Sequence, residues 1–306
     1  KNQCWLRINS HVEDKASLRA LTEELWIIKD QILYTKNNIS KNSFSYPTMN
    51  QFLNALEFSN KNLKQLINKG IQLVEDGILE KIVLASRLKI PLKNKLDLIQ
   101  ILRKLKANQP NTCRYLWRRN SKDIIFGASP EKLFSLIKPN LTLEAIAGTT
   151  SSDLSPDILL RSSKDLKEHN YVINYLIKCL EVLNIKTYKK NELRVTSYGD
   201  INHLQTQVFS KVENICPFDL LRILHPSPAV CGLPKKEAMD WINTLESFSR
   251  GNYASPMGWV DSEGNSEFRV AIRSARYIDQ NIEFTAGSGI VKGSISNKEI
   301  DEIKLK

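Results

Sequence analysis

Apolar residues spaced three or four positions apart mark the helices of this chain. The pattern predicts four helices, over Leu18–Leu33, from Leu63 to Val74, over Leu96–Ala107 and over Asp157–Leu183. Gly77 provides a stop for the second of them, because glycine favours the conformation that ends a helix. Asn37–Tyr46 is rich in Asn and Ser and predicts a loop.

Alternation of apolar and polar residues marks the strands. In Lys81–Pro91, Ile82 and Leu84 fall on one face, whereas Lys81 and Val83 fall on the other. Seven further strands are expected, over Cys113–Trp117, Asp123–Phe126, Lys132–Ile137, Leu141–Ala147, Met257–Asp261, Phe268–Ile278 and Ile282–Thr285. The polar residues Asp279 to Asn281 predict a hairpin turn before the last strand.

Successive strands are often separated by short turns rather than by helices. This arrangement favours an α+β sheet sandwich over a doubly wound parallel sheet. The first 50 residues are polar and weakly patterned. We therefore expect residues 1–50 to form a partial N-terminal segment and residues 51–306 to form the main domain.

The basic charge of the chain has two interpretations. The 306 residues include 44 Lys and Arg against 33 Asp and Glu, which gives a net charge of +11. A basic surface aids solubility, or it binds nucleic acid when the basic residues cluster. Here the lysines are spread along the chain, which favours solubility and argues against a nucleic-acid partner. The same balance suits a small polyanionic substrate.

Hydropathy and cysteine content indicate where in the cell the protein is expected. The longest apolar runs, such as Leu25 to Ile28, are far too short to cross a bilayer, so we expect no membrane partner. The five cysteines are Cys4, Cys113, Cys179, Cys216 and Cys231, without CxxC pairs or zinc-ligand spacing. An odd, scattered set in a chain of this length predicts reduced thiols and a cytoplasmic protein.

Two pairs of carboxylates stand three residues apart on expected helices. Asp165 and Glu168 form one pair, and Glu299 and Glu302 form the other. Residues at this spacing share a helix face. Four acidic side chains from two helices would suit a Mg²⁺ site, directly or through water.

Each pair also has a structural explanation, and both explanations stay open at this point. The first pair lies beside Lys164 and Lys167, with which it can form ion pairs on a solvated face. In the second pair, Glu299 follows Ser296 by three positions, which matches a capping box.

Other chemistry has weaker support in the sequence. The four histidines show no HxH or HExxH arrangement, and no GxSxG string is present. Eight of the twelve glycines fall at Gly199 or later, where they form either ligand-facing loops or tight turns. Lys81 and Glu131 are a candidate base and acid, or else exposed charges.

Several short sequence motifs, taken together, indicate a protein family far more specifically than any one of them does. They are Lys81–Arg87, Phe126–Glu131, Ala145–Thr149, Ser163–His169, His225–Val230, Ala271–Ala275, Ala286–Val291 and the Glu299/Glu302 pair. In this order the chain resembles the chorismate-utilising enzymes, which include isochorismate synthase, salicylate synthase, anthranilate synthase component I and aminodeoxychorismate synthase component I. The resemblance covers roughly residues 50–306. Family members are longer, so we expect the chain to be trimmed, chiefly at its front.

The resemblance implies a fold and a metal. Two antiparallel β-sheets pack as a sandwich with flanking helices, and residues 51–306 form a chorismate-binding catalytic domain with its site between the sheets. Glu168 and Glu302 match direct Mg²⁺ ligands, and Asp165 and Glu299 match an outer, water-linked pair. The metal would hold the ring carboxylate of chorismate.

The resemblance also implies the substrate-binding residues. Tyr253 and Arg273 match residues that hold the enolpyruvyl carboxylate, for which a guanidinium fork is apt. His203 matches a histidine near the ring. The other implied positions are Gly148, Thr149, Ala229, Gly287, Ser288 and Gly289.

Within the family, Lys81 matches the lysine of the water-adding members, and Ala229 matches the isochorismate synthases. The implied reaction is Mg²⁺-dependent isomerisation of chorismate to isochorismate, a precursor in menaquinone, phylloquinone and siderophore biosynthesis. Lys81 would take a proton from the water that attacks ring carbon 2, and Glu131 would protonate the departing 4-hydroxyl. No glutaminase subunit is expected. A salicylate synthase is the alternative, and an aminating chorismate enzyme is a further one.

Overall fold

The computed structural model describes residues 47–92, 96–120 and 122–306. The expected helix Leu18–Leu33 and loop Asn37–Tyr46 lie outside these residues. The division of the chain near residue 50 therefore stays a prediction.

Seven helices lie within the described residues. They are α1 (Met49–Glu75), α2 (Leu98–Asn108), α3 (Asp157–Arg161), α4 (Ser163–Val182), α5 (Pro217–Leu224), α6 (Lys235–Leu245) and α7 (Ser296–Leu305). Thr48 and Gln51 form a capping box at the start of α1. Gly77 follows its end with a φ of 73°, as its position in the sequence predicts.

The first sheet contains the strand that carries Lys81. Its strands are β1 (Lys81–Pro91), β2 (Cys113–Asn120), β3 (Asp123–Ser129), β9 (Gly232–Leu233), β12 (Ser274–Ile278) and β13 (Asn281–Val291). They are ordered β2-β3-β12-β13-β1-β9, and every pair is antiparallel. In the pair of β1 and β13, Lys81 lies opposite Val291 and Ala85 lies opposite Gly287.

The second sheet carries the opposite wall of the site. Its strands are β4 (Lys132–Ile137), β5 (Asn140–Ser151), β6 (Thr187–Lys190), β7 (Arg194–Tyr198), β8 (Ile201–Lys211), β10 (Pro256–Val260) and β11 (Ser266–Val270). The order is β10-β11-β4-β5-β8-β6, with β7 also paired to β8, and all pairs are antiparallel. Two antiparallel sheets with flanking helices confirm the expected fold class.

The register of β5 against β8 shifts where Gly148 adopts a φ of 74°. Beyond the shift, Thr149 lies opposite His203. A β-bulge of this kind redirects side chains and is common beside active sites.

The expectation of one continuous helix over Asp157–Leu183 is wrong. The helix breaks at Ser162, which is extended at ψ 108° and separates α3 from α4. The hydroxyl of Ser162 accepts a hydrogen bond from the backbone N–H of Asp165. Serine competes for backbone hydrogen bonds in this way, so it starts helices better than it continues them.

The expectation of one strand over Phe268–Ile278 is also wrong. β11 ends at Val270 in the second sheet, and β12 begins at Ser274 in the first. Arg273, between them, has a φ of 52°, which is uncommon for a residue with a Cβ. Its carbonyl oxygen accepts a hydrogen bond from Ala128 N at 3.1 Å, so the crossover is fixed to the first sheet.

The two helices that carry the carboxylate pairs are each fixed to a different sheet. Val172 and Leu176 of α4 pack in one core with Leu143 and Ala145 of the second sheet. Ile300 and Ile303 of α7 pack in another core with residues of α1 and the first sheet, among them Ile67, Ile82 and Ile290. Full burial of each such side chain contributes about 1.5–3 kcal/mol, so both helices are firmly placed. Among the described residues, no helix is both long and apolar enough to cross a membrane.

Candidate active site

A cavity lies between the two sheets. With the open solvent at its mouth, the space within it amounts to about 640 Å³. Eleven of the fifteen expected site residues line it: Glu131, Gly148, Thr149, Glu168, His203, Ala229, Tyr253, Arg273, Gly287, Gly289 and Glu302. The other four, Lys81, Asp165, Ser288 and Glu299, lie just outside the lining.

Arg273 supplies a partly buried positive charge at the cavity wall. Within the described part of the chain, its guanidinium makes one hydrogen bond, from Nη2 to Nε2 of His203 at 3.0 Å, and no ion pair. Burial lowers the pKa of Arg273 to about 10, so the guanidinium stays charged at neutral pH. An anion that enters the cavity would therefore meet unused N–H donors, which bind carboxylates strongly.

Two further ionisable groups face the same cavity. Burial raises the pKa of Glu131 to about 7, which keeps a large fraction of this carboxyl protonated near neutral pH. Burial raises the pKa of Tyr253 to about 12, so its phenol remains a hydrogen-bond donor. The site thus combines a neutral acid with donors suited to an anion.

Lys81 is fully buried on the first sheet, behind the cavity wall. Its Nζ donates to Glu168 Oε1 at 3.0 Å. Burial lowers the pKa of Lys81, and the attraction of Glu168 only partly opposes this effect. A buried lysine with a lowered pKa is a suitable general base once it gives up its proton.

Gly289 leaves the space that this pair occupies. A Cβ at residue 289 would lie 2.0 Å from Glu168 Oε1 and 3.1 Å from Cε of Lys81. The first distance is far too short for atoms that are not bonded, and the second is tighter than ordinary van der Waals contact. The glycine therefore allows Glu168 and Lys81 to meet.

The four expected metal ligands converge from α4 and α7, and a lysine lies among them. Lys164 Nζ is 3.2 Å from Glu168, 3.1 Å from Glu299, 3.6 Å from Asp165 and 3.7 Å from Glu302. Burial acts to lower the pKa of Lys164, but the surrounding carboxylates raise it well above its usual value. Lys164 is therefore a permanent cation at the centre of these four carboxylates, which we call the acidic group.

Comparisons with known proteins identify the family of this chain. Residues 1–306 match the protein family described as "Chorismate binding enzyme". The chain belongs to this family. It is 31% identical over 248 residues to isochorismate synthase MenF of Haemophilus influenzae and 31% identical over 237 residues to that of Bacillus subtilis.

A solved structure of a family member has the same fold. The menaquinone-specific isochorismate synthase MenF of Escherichia coli superposes with a TM-score of 0.72 at 25% identity, over 80% of this chain and 58% of that one. The matches to the Haemophilus influenzae and Bacillus subtilis proteins cover 78% and 74% of this chain but 57% and 50% of those proteins. This chain thus spans about half the length of the curated relatives it matches.

Magnesium, which the family implies, fits these residues by donor type. Mg²⁺ prefers carboxylate oxygens and retains several of its waters. However, no three or more Asp, Glu, His or Cys side chains in the described ranges are arranged to enclose an ion. The ammonium of Lys164 stands between the carboxylates, so the donors fit the metal only if this side chain moves.

The contacts of the carboxylate pairs differ in part from those that the two structural explanations predict. The capping-box explanation of Glu299 is wrong, because α7 is preceded by Ile295 and has no side-chain cap. Instead, Glu299 contacts Lys164 and accepts a hydrogen bond from the hydroxyl of Ser288. The other explanation is right about Lys164 as the partner of Asp165 and Glu168, but wrong about a solvated face, since Glu168 is 4% exposed.

Two lysines of this site, Lys164 and Lys306, were not predicted from the sequence. Lys306 lines the cavity and donates to Glu302 Oε1 at 2.7 Å and to the carbonyl oxygen of Gly287 at 3.0 Å. Its spacing of four residues from Glu302 on one helix was a usable signal. Lys164 was considered only as a surface partner, because its neighbours on α7 lie 135 residues away in the chain.

Proposed function

We propose that this chain binds chorismate with Mg²⁺ and isomerises it to isochorismate. The observation that carries the proposal is Lys81, a fully buried lysine with a lowered pKa that reaches Glu168 beside the cavity. In the family resemblance, lysine at this position marks the members that use water as the nucleophile. The likeness to isochorismate synthases is consistent with this subtype.

Substrate binding would use the two cationic regions of the cavity. Chorismate carries two carboxylates, and Arg273 and Tyr253 offer donors for the one on the enolpyruvyl group. The other would face Lys306 and the metal site at Glu168 and Glu302, across the cavity that all these residues line. When bound, Mg²⁺ would neutralise the ring carboxylate. Asp165 and Glu299 would hold the waters of its outer shell.

Isomerisation requires water to add at ring carbon 2 while the 4-hydroxyl leaves. Lys81 would accept the proton of the attacking water, so it must be neutral when the reaction starts. Burial favours this neutral form. Glu131 would donate a proton to the departing hydroxyl, and its pKa of about 7 keeps that proton available. His203 and the glycine backbone would orient the ring between the sheets.

Product analysis tests the proposal. Chorismate and MgCl₂ are incubated with the enzyme, and the products are separated by chromatography at short and long times. A mixture of chorismate and isochorismate that stops changing supports the proposal, because isomers of similar energy interconvert. Pyruvate released together with salicylate would identify a salicylate synthase instead. An amino product in excess ammonium would identify an aminating enzyme.

A further inference from the structure

Glu168 and Glu302 are held in the same way, each with one oxygen bound by a different lysine. Glu168 Oε1 accepts from Lys81 at 3.0 Å, and Glu302 Oε1 accepts from Lys306 at 2.7 Å. The second oxygen of each carboxylate, Oε2, faces Lys164 Nζ at 3.2 Å and 3.7 Å respectively. Lys164 therefore occupies the sides of both carboxylates that the other two lysines leave free.

The outer carboxylates complete this environment. Glu299 Oε1 lies 3.1 Å and Asp165 Oδ1 lies 3.6 Å from the same nitrogen. Glu299 also accepts a hydrogen bond from Ser288, which is fully buried. One ammonium thus neutralises part of the charge of four carboxylates that come from two helices.

We propose that Lys164 is a displaceable counter-cation: its ammonium holds the four carboxylates together without metal, and it moves out to solvent when Mg²⁺ binds. This inference rests on the proposed use of Mg²⁺ at this site. The oxygens that a metal would need are the Oε2 atoms of Glu168 and Glu302, which Lys164 contacts. An ammonium and a divalent cation sharing these oxygens would lie a few ångströms apart and would repel each other.

The side chain has a route by which to leave. Lys164 is on the first turn of α4, and its side chain is 19% exposed, compared with 5% for Glu168 and 3% for Glu299. Its flexible four-carbon stem can carry the ammonium to water without a change in the helix. Lys81, at 0% exposure, has no comparable route. Lys164 therefore sets the affinity for the metal, because each binding event must displace it.

Amine labelling measures the displacement directly. Wild-type enzyme is treated with an acetylating reagent in EDTA and in MgCl₂, and acetylation at individual lysines is measured by mass spectrometry of peptides. We expect labelling of Lys164 to rise several-fold in MgCl₂. Lys304, which is exposed on α7 and outside the acidic group, is the internal control and should not change. Equal labelling of Lys164 in the two conditions, with Mg²⁺ bound, overturns the proposal.

A variant separates displacement from a general effect on the fold. Lys164→Gln removes the ammonium, so the four carboxylates repel one another and the melting temperature in EDTA should fall. MgCl₂ should restore it, with a larger rise than in wild type. Calorimetry should show Mg²⁺ binding at least about tenfold tighter in the variant, since no cation has to leave. Lys167→Gln, whose ammonium lies over the ring of Tyr171, is the matched control and should resemble wild type.

The outcomes separate this inference from the proposed reaction. Mg²⁺-dependent labelling of Lys164 in an enzyme that forms another product supports the inference and refutes the proposed reaction. Isochorismate formation by an enzyme whose Lys164 stays protected from acetylation in MgCl₂ supports the proposed reaction and refutes the inference. If neither wild type nor Lys164→Gln binds Mg²⁺, or if the variant binds it no more tightly, the inference is wrong.

Discussion

Nε2 of His203 accepts a hydrogen bond from Arg273 over 3.0 Å, while Nδ1 of the same ring lies 2.9 Å from the carbonyl oxygen of Gly148. A carbonyl oxygen can only accept, so Nδ1 carries the proton and Nε2 is free to accept from the guanidinium. Burial and the nearby Arg273 lower the pKa of His203 to about 3, which preserves this neutral form. His203 therefore orients Arg273.

The first prediction concerns this pair. Arg273→Ala should raise the KM for chorismate by an amount equivalent to about 2–5 kcal/mol, because it removes a buried partner of a carboxylate. His203→Ala should raise KM less, since the guanidinium remains but loses its orientation. Steady-state kinetics measure both effects. Arg276→Ala is the control, because Arg276 is paired with Asp123 instead. An unchanged KM in Arg273→Ala would show that this residue does not bind substrate.

The second prediction concerns the metal ligands. Glu302→Gln keeps the shape of the side chain but removes its charge, so activity in MgCl₂ should collapse while the thermal melt stays cooperative. Asp301→Asn, which is exposed on the same helix, should retain activity. Glu168→Gln should lose activity as well, and it should also lower stability because Lys81 loses its ion-pair partner. Full activity of the wild type in EDTA would contradict the requirement for a metal.

The third prediction follows from the pKa of about 7 for Glu131. If protonated Glu131 is the acid, kcat should fall as the pH rises through about 7. The rate should also depend on the protonation of Lys81, because burial lowers the pKa of this lysine and the base must be neutral to act. Glu131→Gln should lose most activity and also lose the alkaline limb of the profile.

Stability provides an independent check on Glu131. Its pKa in the folded state lies above the usual 4.5, so the folded state retains the proton longer than the unfolded chain. The stability associated with this proton is present below about pH 4.5 and is lost as the pH rises through about 7. Glu131→Gln should therefore melt at a higher temperature than wild type at pH 8, and the difference should vanish below about pH 4.5. A difference that does not depend on pH would argue against a raised pKa.

The fourth prediction identifies the nucleophile. Lys81→Ala should reduce kcat by about 10²–10⁴-fold, as expected for loss of a general base. Lys81→Arg should not restore the rate, because a guanidinium keeps its proton at working pH. Lys89→Ala, at an exposed position of the same strand, is the control. A fully active Lys81→Ala enzyme would overturn the proposed mechanism.

The fifth prediction uses the space at Gly289. In Gly289→Ala the new methyl group would meet Glu168 Oε1, so this carboxylate must move away from Lys81. Activity should fall sharply while secondary structure is kept. Gly293→Ala is the matched control: its Cβ meets no atom within 4 Å, but its φ of 91° is strained. It should lose about 1–2 kcal/mol of stability with little change in kcat. The reverse pattern would show that Gly289 matters only for folding.

The local sequence pattern was sufficient for two strands whose ends are clearly marked. The bounds of Lys81–Pro91 and Lys132–Ile137 match the sequence prediction, because each strand is followed by turn residues or by a polar segment. It failed at Ser162 and at Arg273. At Ser162, a side-chain hydrogen bond outweighs a continuous apolar stripe. At Arg273, alternation continues although the chain changes sheets, and alternation alone contains no information about which sheet a strand joins.

Residue type and spacing alone indicated the four carboxylates, Lys81 and Glu131 as candidates, whereas the other positions of the candidate site were predictable only where a string of residues resembles a family. Gly148 and Gly289 were identified in this way, and the structure supplies the physical reason for each in a φ of 74° and a missing Cβ. Lys164 was not identified as part of the site. Its position depends on its attraction to carboxylates that are distant in sequence and meet only in the folded chain. A local sequence pattern does not contain this information.

The crossover at Arg273 gives the molecule a mechanical property. The guanidinium projects from a short backbone segment whose two ends are hydrogen-bonded into different sheets. A ligand held by Arg273 and also by the metal site is therefore attached to both sheets of the sandwich. Ligand binding then links the two sheets. Amide hydrogen exchange should slow in Ser266–Val270 and in Ser274–Ile278 together when ligand binds. The stiffness of the whole domain, and not only of its cavity, then depends on whether the site is filled.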